Sequence, residues 1–223
     1  MHFANQMLQD RKESLKGKRC LILGSGKVAR SVAEKLVKLG AIPLTFTDMS
    51  GHLYEPDGIN AGKLKTINSI KQERGAQLGR YIISSTSAQF NDPADIFDIP
   101  CDLCFPCGAM NEVTVDVVNK LADNGCLGVI EGGHACVTAT AREKLRMRGL
   151  LYGPHTMTMT GPAIVHSLGL KASDDMLAKE VARIYNEVKR NAQEFNARGD
   201  LHAGAHILGF LRVANMMMNH GAV

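Results

Sequence analysis

Two glycines that directly follow a short apolar run constrain this chain more than any other feature. Residues 20–23 (CLIL) are apolar and are bounded by polar residues and glycine, which is typical of a buried parallel strand. Gly24 and Gly26 follow at once, and residues 27–39 then have the apolar spacing of an amphipathic helix. The pattern predicts a buried strand, a tight glycine turn and a helix, in that order.

The alternation of strands and helices continues along the chain. A second strand is predicted at 44–47, ending at Asp48. Further helices are predicted at about 2–13, 60–74, 114–122, 140–149, 174–197 and 203–219, and further strands near 81–83, 101–105, 127–130 and 150–152. This order predicts an α/β fold of the Rossmann type, a doubly wound, mostly parallel sheet with helices on both faces and additional C-terminal helices.

Composition narrows the functional classes. The chain has 223 residues, which suits one large domain, and its net charge of +4 is too small and too dispersed to indicate nucleic-acid binding. No apolar stretch is long enough to predict a membrane span, and the N-terminal residues do not resemble a signal peptide. The six cysteines lie mostly in or beside apolar runs, so we expect free thiols and a cytoplasmic location.

The glycine turn matches the fingerprint G-x-G-x-x-A over residues 24–29. In such a turn the first glycine permits the tight bend, the second lets a pyrophosphate approach the backbone, and the free N–H groups of the helix face the phosphates. The acidic Asp48 lies 19 residues after Ala29, close to the usual spacing. We therefore expect a dinucleotide site, whose pyrophosphate end comprises Gly24, Ser25, Gly26, Lys27 and Val28.

The choice between NAD and NADP stays open at this point. Asp48 would accept hydrogen bonds from the adenosine ribose, which favours NAD. Lys71 and Arg74 close the next predicted helix and would neutralise a 2′-phosphate, which favours NADP, although Arg74 is equally well explained as a solvated surface charge.

Five motifs in order resemble the glutamate dehydrogenase family, specifically its hexameric NADP type. The opening of the family's cofactor domain is similar to residues 15–29, its S-D-S-S-G to 47–51, its A-L-P-C-A-T-Q-N-E to 103–112, its A-E-G-A to 130–133 and its closing A-N-I-A-G-F-x-K-V-A to 205–214. The resemblance covers essentially this whole chain, but only half of the family's chain.

That resemblance implies NADP or NAD as cofactor and the interconversion of glutamate and 2-oxoglutarate. It assigns residues 15–223 to the NAD(P)-binding domain and residues 1–14 to part of the helix that joins it to a substrate domain. Further cofactor contacts are implied at Met49, Cys107, Gly108, Ala109, Asn111, Gly132 and His134. The family's catalytic residues lie in the substrate domain, so no catalytic residue is assigned here. We expect cofactor binding without turnover unless that domain is supplied, and a homo- or hetero-oligomer is possible.

Departures from the family pattern leave an alternative open. Lys27 and His134 stand where the family has Asn, Ala109 and Met110 replace Thr and Gln, and residues 155–169 match poorly. These changes are compatible with a catalytically silent nucleotide-binding or regulatory partner of a full-length glutamate dehydrogenase. An unrelated small NAD-dependent enzyme is a third alternative.

No metal site is expected. Cys101, Cys104 and Cys107 form C-x-x-C-x-x-C, but the fourth position of a ferredoxin motif is Asn111. In an extended strand, side chains at this spacing also do not converge. His202 and His206 have helical spacing, but no third ligand is evident.

Overall fold

A five-stranded parallel sheet forms the centre of the molecule. The computed structural model describes residues 1–169 and 173–221. The strands of this sheet are β1 (Arg19–Leu23), β2 (Ile42–Pro43), β6 (Leu103–Pro106), β7 (Gly128–Ile130) and β8 (Leu151–Gly153), in the order β2-β1-β6-β7-β8. All four neighbouring pairs are parallel, as the alternating pattern predicts.

Helices connect and cover these strands. They are α1 (His2–Asp10), α2 (Lys27–Lys38), α3 (Ala61–Gln72), α4 (Val115–Asp123), α5 (Ala139–Met147), α6 (His155–Thr158), α7 (Gly161–Leu168), α8 (Asp174–Glu194) and α9 (Leu201–His220), with 3₁₀ helices at Leu78–Ser84 and Pro93–Asp98. Within the described ranges, no helix has the length and apolar character needed to cross a membrane.

The central sheet separates two hydrophobic cores. Successive residues of β1 point to opposite faces, so Ile22 joins one core and Leu21 joins the other. The first core contains side chains of α1, α2, α3 and α8, whereas the second contains those of α4 and α5. Both faces are covered, and the doubly wound α/β architecture is confirmed.

The second predicted strand, 44–47, does not stay in the central sheet. β2 ends at Pro43, and β3 (Thr45–Asp48) instead forms an antiparallel sheet with β4 (Gly51–Tyr54) and β5 (Gln89–Asn91). The buried side chain of Thr45 still binds β1, because its hydroxyl accepts from the N–H of Ile22 at 3.0 Å and donates to its carbonyl at 3.1 Å. The N–H of Thr47 then donates to the carbonyl of Gly24 at 3.2 Å, so β3 lies beside the end of β1 although its strand partner is β4.

The strand predicted near 81–83 is wrong, because these residues belong to a 3₁₀ helix. Tyr81 is buried, and its hydroxyl donates to Glu55 at 2.9 Å, but Ile83 is 87% exposed. The apolar run therefore does not lie in a sheet interior. The strands β4 and β5 were not predicted.

Candidate functional site

The turn after β1 has the geometry that its glycines predict. Gly24 has φ of +90°, and a Cβ atom there would lie 3.0 Å from the carbonyl oxygen of Cys107 and 3.2 Å from Cα of Gly108. A larger residue at position 24 would be strained and would push the loops after β1 and β6 apart. Gly26 differs, since a Cβ atom there would meet nothing within 4 Å. This glycine leaves open space in front of the backbone.

The N-terminus of α2 faces that open space. Gly26 is its N-cap, no side chain caps its first N–H groups, and its first turn contains no acidic residue. Lys27 and Val28 are exposed in the same turn. The free N–H groups, the positive end of the helix dipole and the Lys27 ammonium together favour an anion at this position.

The loops after β6 and β7 meet the glycine turn at the same edge of the sheet. The N–H groups of Gly132 and Gly133 both donate to the carbonyl of Pro106, at 2.8 and 2.9 Å. A Cβ atom at Gly132 would collide with Sγ of Cys107, so this glycine allows the two loops to pack closely. The three loops surround the carboxyl ends of β1 and β6, where the strand order reverses; in open α/β sheets this is where ligands bind.

Most of the further cofactor contacts that the sequence predicts lie in the loops after β6 and β7, and these two loops are connected. Ala109 and Asn111 are exposed, and the N–H of Asn111 donates to the carbonyl of Ala135 at 2.9 Å. His134 packs edge-on against His155, with ring centroids 4.7 Å apart. The structure thus brings the predicted residues of the β6 and β7 loops together with the glycine turn.

Glu131 was not predicted as a site residue, although it lies in the motif at 130–133. Its side chain is fully buried and accepts from the N–H of Val137 at 2.9 Å, the hydroxyl of Tyr152 at 2.7 Å and the N–H of His155 at 2.7 Å. One carboxylate therefore connects the β7 loop to β8 and to the start of α6. The sequence signal that could have identified Glu131 is an acidic residue directly after an apolar strand.

Glu112 is a second carboxylate that the prediction omitted. A Cβ atom at Gly108 would lie 2.9 Å from Oε2 of Glu112, so this side chain packs beneath the exposed loop. Oε2 is buried and has no hydrogen-bond partner among the described residues. Burial raises the pKa of Glu112 to about 7, against the opposing effect of the Gly108 and Ala109 amides.

Asp48 is the last residue of β3, and its carboxylate is already hydrogen-bonded within the protein. Its Oδ1 accepts from the N–H and the hydroxyl of Ser50, at 3.0 and 2.5 Å, and its Oδ2 accepts from the N–H of Leu78 at 2.9 Å. Burial raises its pKa, but these bonds and the Lys71 ammonium, at 3.7 Å, outweigh burial and hold the pKa below its usual value. Asp48 therefore stays ionised and has little remaining capacity to accept a ribose hydroxyl.

A cavity of 430 Å³ opens beside Asp48. It is lined by residues 48–50 and 71–77, which include the candidates Met49 and Lys71. Met49 is fully exposed, and Arg74 is exposed and contributes a second cation. A cavity bordered by two cations fits a phosphate group.

The fit of a dinucleotide follows from these features. The open space at Gly26 and the uncapped N-terminus of α2 follow β1, and the cationic cavity lies at the end of β3, beside the end of β1, which suits a pyrophosphate and an adenosine ribose. Among the described residues, no group of three or more His, Cys, Asp or Glu side chains is arranged to hold a metal ion. All six cysteines are free thiols.

Sequence comparison places the chain among known dehydrogenases. The profile of the glutamate/leucine/phenylalanine/valine dehydrogenase family matches residues 1–221. The NADP-specific glutamate dehydrogenase of Chlorella sorokiniana is 33% identical over 99% of this chain and 44% of its own length. That of Helicobacter pylori strain J99 is 32% identical over 99% of this chain and 53% of its own. The chain thus spans about half the length of the curated relatives it matches.

The fold is also that of solved dehydrogenase structures. Plasmodium falciparum glutamate dehydrogenase 2 superposes with a TM-score of 0.90 at 30% identity, over 100% of this chain and 51% of that one. Another solved structure of a Plasmodium falciparum glutamate dehydrogenase gives a TM-score of 0.89 at 26% identity, over 100% of this chain and 50% of that one.

Proposed function

The chain belongs to the glutamate/leucine/phenylalanine/valine dehydrogenase family, and on this premise we propose that it forms the NAD(P)-binding part of a glutamate dehydrogenase. Residues 15–223 would be the cofactor domain, and residues 1–14 part of the helix that leads to a substrate domain. The observation that carries the proposal is the open backbone at Gly26 in front of the uncapped α2 N-terminus, beside the loop that follows β6.

The roles proposed for the residues follow their positions. Gly24, Ser25, Gly26, Lys27 and Val28 would bind the pyrophosphate, through backbone N–H groups and the Lys27 charge. Cys107, Gly108, Ala109, Asn111, Gly132 and His134 would line the nicotinamide end. When bound, the nicotinamide supplies hydride acceptance or donation; the protein orients it and excludes water on one side.

NADP(H) is the cofactor that this site favours. Lys71 and Arg74 border the cavity in which a 2′-phosphate would lie, whereas Asp48 already accepts three hydrogen bonds from Ser50 and Leu78. The names of the Chlorella and Helicobacter relatives, both NADP-specific, agree with this preference.

Turnover of glutamate would require a substrate domain, either from the rest of a longer polypeptide or from a partner chain in a homo- or hetero-oligomer. The free thiols suit a reducing compartment, and we place the protein in the cytoplasm.

A silent or regulatory partner of a full-length glutamate dehydrogenase is the second candidate. It is favoured by the unusual segment 155–169, in which the hydroxyls of Thr156 and Thr158 are buried without partners among the described residues. Co-purification with a complete glutamate dehydrogenase, without any gain in its activity, distinguishes this candidate.

Isothermal titration calorimetry with NADPH and NADH tests the main proposal. We expect saturable binding of NADPH, weakened about tenfold or more by Gly26→Ala, because a methyl group would occupy the space reserved for the pyrophosphate. Lys71→Ala should weaken NADPH binding about tenfold and leave NADH binding unchanged, since only the phosphate needs this charge.

Gly209→Ala is the matched control, because a Cβ atom there also meets nothing within 4 Å but lies on α9. It should bind NADPH like the native chain. The absence of saturable heat with either dinucleotide at millimolar concentration would refute the proposal.

A further inference from the structure

A second cavity, of 840 Å³, lies beside the edge strand β8 and shares no residue with the proposed cofactor site. It is enclosed by α1, α5, α8 and the turn that leads into α9. Met7, Leu150 and Leu151 contribute apolar surface to its walls. The cavity thus combines apolar walls with the charged groups described next.

Its lining contains more cations than anions. The basic residues are Arg11, Arg142, Arg146, Lys189 and Arg198, and the acidic ones are Asp10, Glu143 and Asp200. Two of the three carboxylates are already engaged. Asp10 accepts from Lys189 and Tyr185, each at 2.6 Å, and Asp200 caps α9 by accepting from the N–H of Ala203 at 2.9 Å.

Among the described residues, none of the four arginines in the lining has a carboxylate partner, and Arg11 instead donates to the carbonyl of Gly149 at 2.8 Å. Within residues 1–169 and 173–221, the ion pairs formed by arginine involve Arg80, Arg148, Arg183 and Arg212, and none involves Arg142, Arg146 or Arg198. Arg142 and Arg146 are four residues apart on α5, a spacing at which like charges repel each other. Arg142 also lies near the N-terminus of α5, where the helix dipole disfavours a cation.

The partner that Arg142 does contact is neutral. Its guanidinium donates to Nε2 of His202, so the proton of this imidazole resides on Nδ1. Burial and the Arg142 charge lower the pKa of His202 to about 4, which keeps the ring uncharged near neutral pH. Nδ1 is buried and has no acceptor among the described residues. Among the described residues, the Arg142 guanidinium therefore contacts an uncharged ring and forms no ion pair.

We propose that this cavity binds a small organic anion whose carboxylate or phosphate oxygens pair with Arg142 and Arg146. The planar guanidinium matches both oxyanions and binds them through paired hydrogen bonds. Arg198, which also lines the cavity, would bind a second anionic group, and the apolar walls would contact the carbon skeleton of the ligand. The site is separate from the cofactor cleft, so such a ligand and a dinucleotide would bind together.

Calorimetric titration of the whole chain with succinate and with inorganic phosphate tests this proposal and distinguishes the two kinds of anion. We expect saturable millimolar or tighter binding of at least one of them. Arg142→Gln and Arg146→Gln should each weaken it about tenfold or more, because each removes a charge-assisted hydrogen bond. Binding should survive in Gly26→Ala, which changes only the proposed pyrophosphate site.

Arg148→Gln is the matched control, since Arg148 follows α5 directly but pairs with Asp123 outside the cavity. It should bind the anion like the native chain. Thermal unfolding provides a second measurement: succinate or phosphate should raise the midpoint of the native chain and of Arg148→Gln, but not that of Arg142→Gln. No saturable binding, or equal loss in Arg142→Gln and Arg148→Gln, overturns the proposal.

Discussion

Two carboxylates at the carboxyl edge of the sheet show how burial sets the role of a residue. Glu131 accepts three hydrogen bonds of 2.7 to 2.9 Å and so connects β7, β8 and α6. Glu112, by contrast, has one oxygen that is buried without a partner among the described residues. Glu131 therefore has donors for its buried oxygens, whereas protonation of Glu112 removes the free-energy cost of burying its charge.

The raised pKa of Glu112 predicts a pH dependence of stability. Its native pKa of about 7 exceeds the unfolded value, so the native state retains a proton that the unfolded chain has released. The contribution is complete below about pH 4 and is lost as the pH rises through 7. Glu112→Gln, which is always neutral, should therefore be more stable than the native chain at pH 8 by about 1–2 kcal/mol, a value reduced for partial exposure.

Urea denaturation at pH 5 and pH 8 measures this difference. The gain from Glu112→Gln should shrink at pH 5. Glu194→Gln is the control for the substitution itself, because Glu194 is exposed at the end of α8 and lines neither cavity. A gain that is equal at both pH values would contradict this account of Glu112.

At the scale of elements, close packing of α8 on α9 depends on one glycine. A Cβ atom at Gly204 would lie 2.5 Å from the carbonyl oxygen of Val188 and 2.9 Å from Cβ of Ala192. Gly204 is buried, and α9 approaches α8 at this point through backbone rather than side chains. The spacing of the two helices is therefore determined by the absence of a side chain.

Gly204→Ala should destabilise the protein by about 2 kcal/mol, because the methyl group must separate the two helices. Gly209→Ala on the same helix has open space and should instead raise stability by about 0.5–1 kcal/mol, through the better helix propensity of alanine. Chemical denaturation of both variants measures the contrast. If both substitutions changed the free energy of unfolding in the same direction, the close contact at Gly204 would not limit the packing of the two helices.

At the scale of the whole molecule, one sheet couples both cores. The same strands β1, β6 and β7 contribute side chains to the two sides, so neither core can be lost while the other keeps its strands. The proposed cofactor cleft lies at the end of the central strands β1 and β6. Ligand binding there should consequently stabilise the entire domain.

Unfolding should therefore be a single cooperative transition, and NADPH at 100 times its dissociation constant should add about 2.7 kcal/mol to the free energy of unfolding. Far-ultraviolet circular dichroism and tyrosine fluorescence should report the same midpoint, and NADPH should raise both. Two separate transitions, of which NADPH shifts only one, would show that the cores unfold independently.

Local patterns in the sequence were enough to predict much of this molecule. The apolar run at 20–23, the glycines at 24 and 26 and the helical spacing that follows act over a few neighbouring residues, and they predicted β1, the turn and α2. Repetition of such patterns predicted the parallel sheet and hence the edge at which the candidate residues lie. These features follow from strand and helix periodicity, which any short window of sequence contains.

Tertiary structure decided what depends on distant partners. The hydroxyl of Thr45 binds the backbone of Ile22, 23 residues away, and Asp48 accepts from the N–H of Leu78, 30 residues away. Arg142 lies against His202 only because α5 and α9 meet in space. Hydrogen-bond partners, burial and the resulting pKa values depend on which segments pack together, and the local pattern of a sequence does not contain that information.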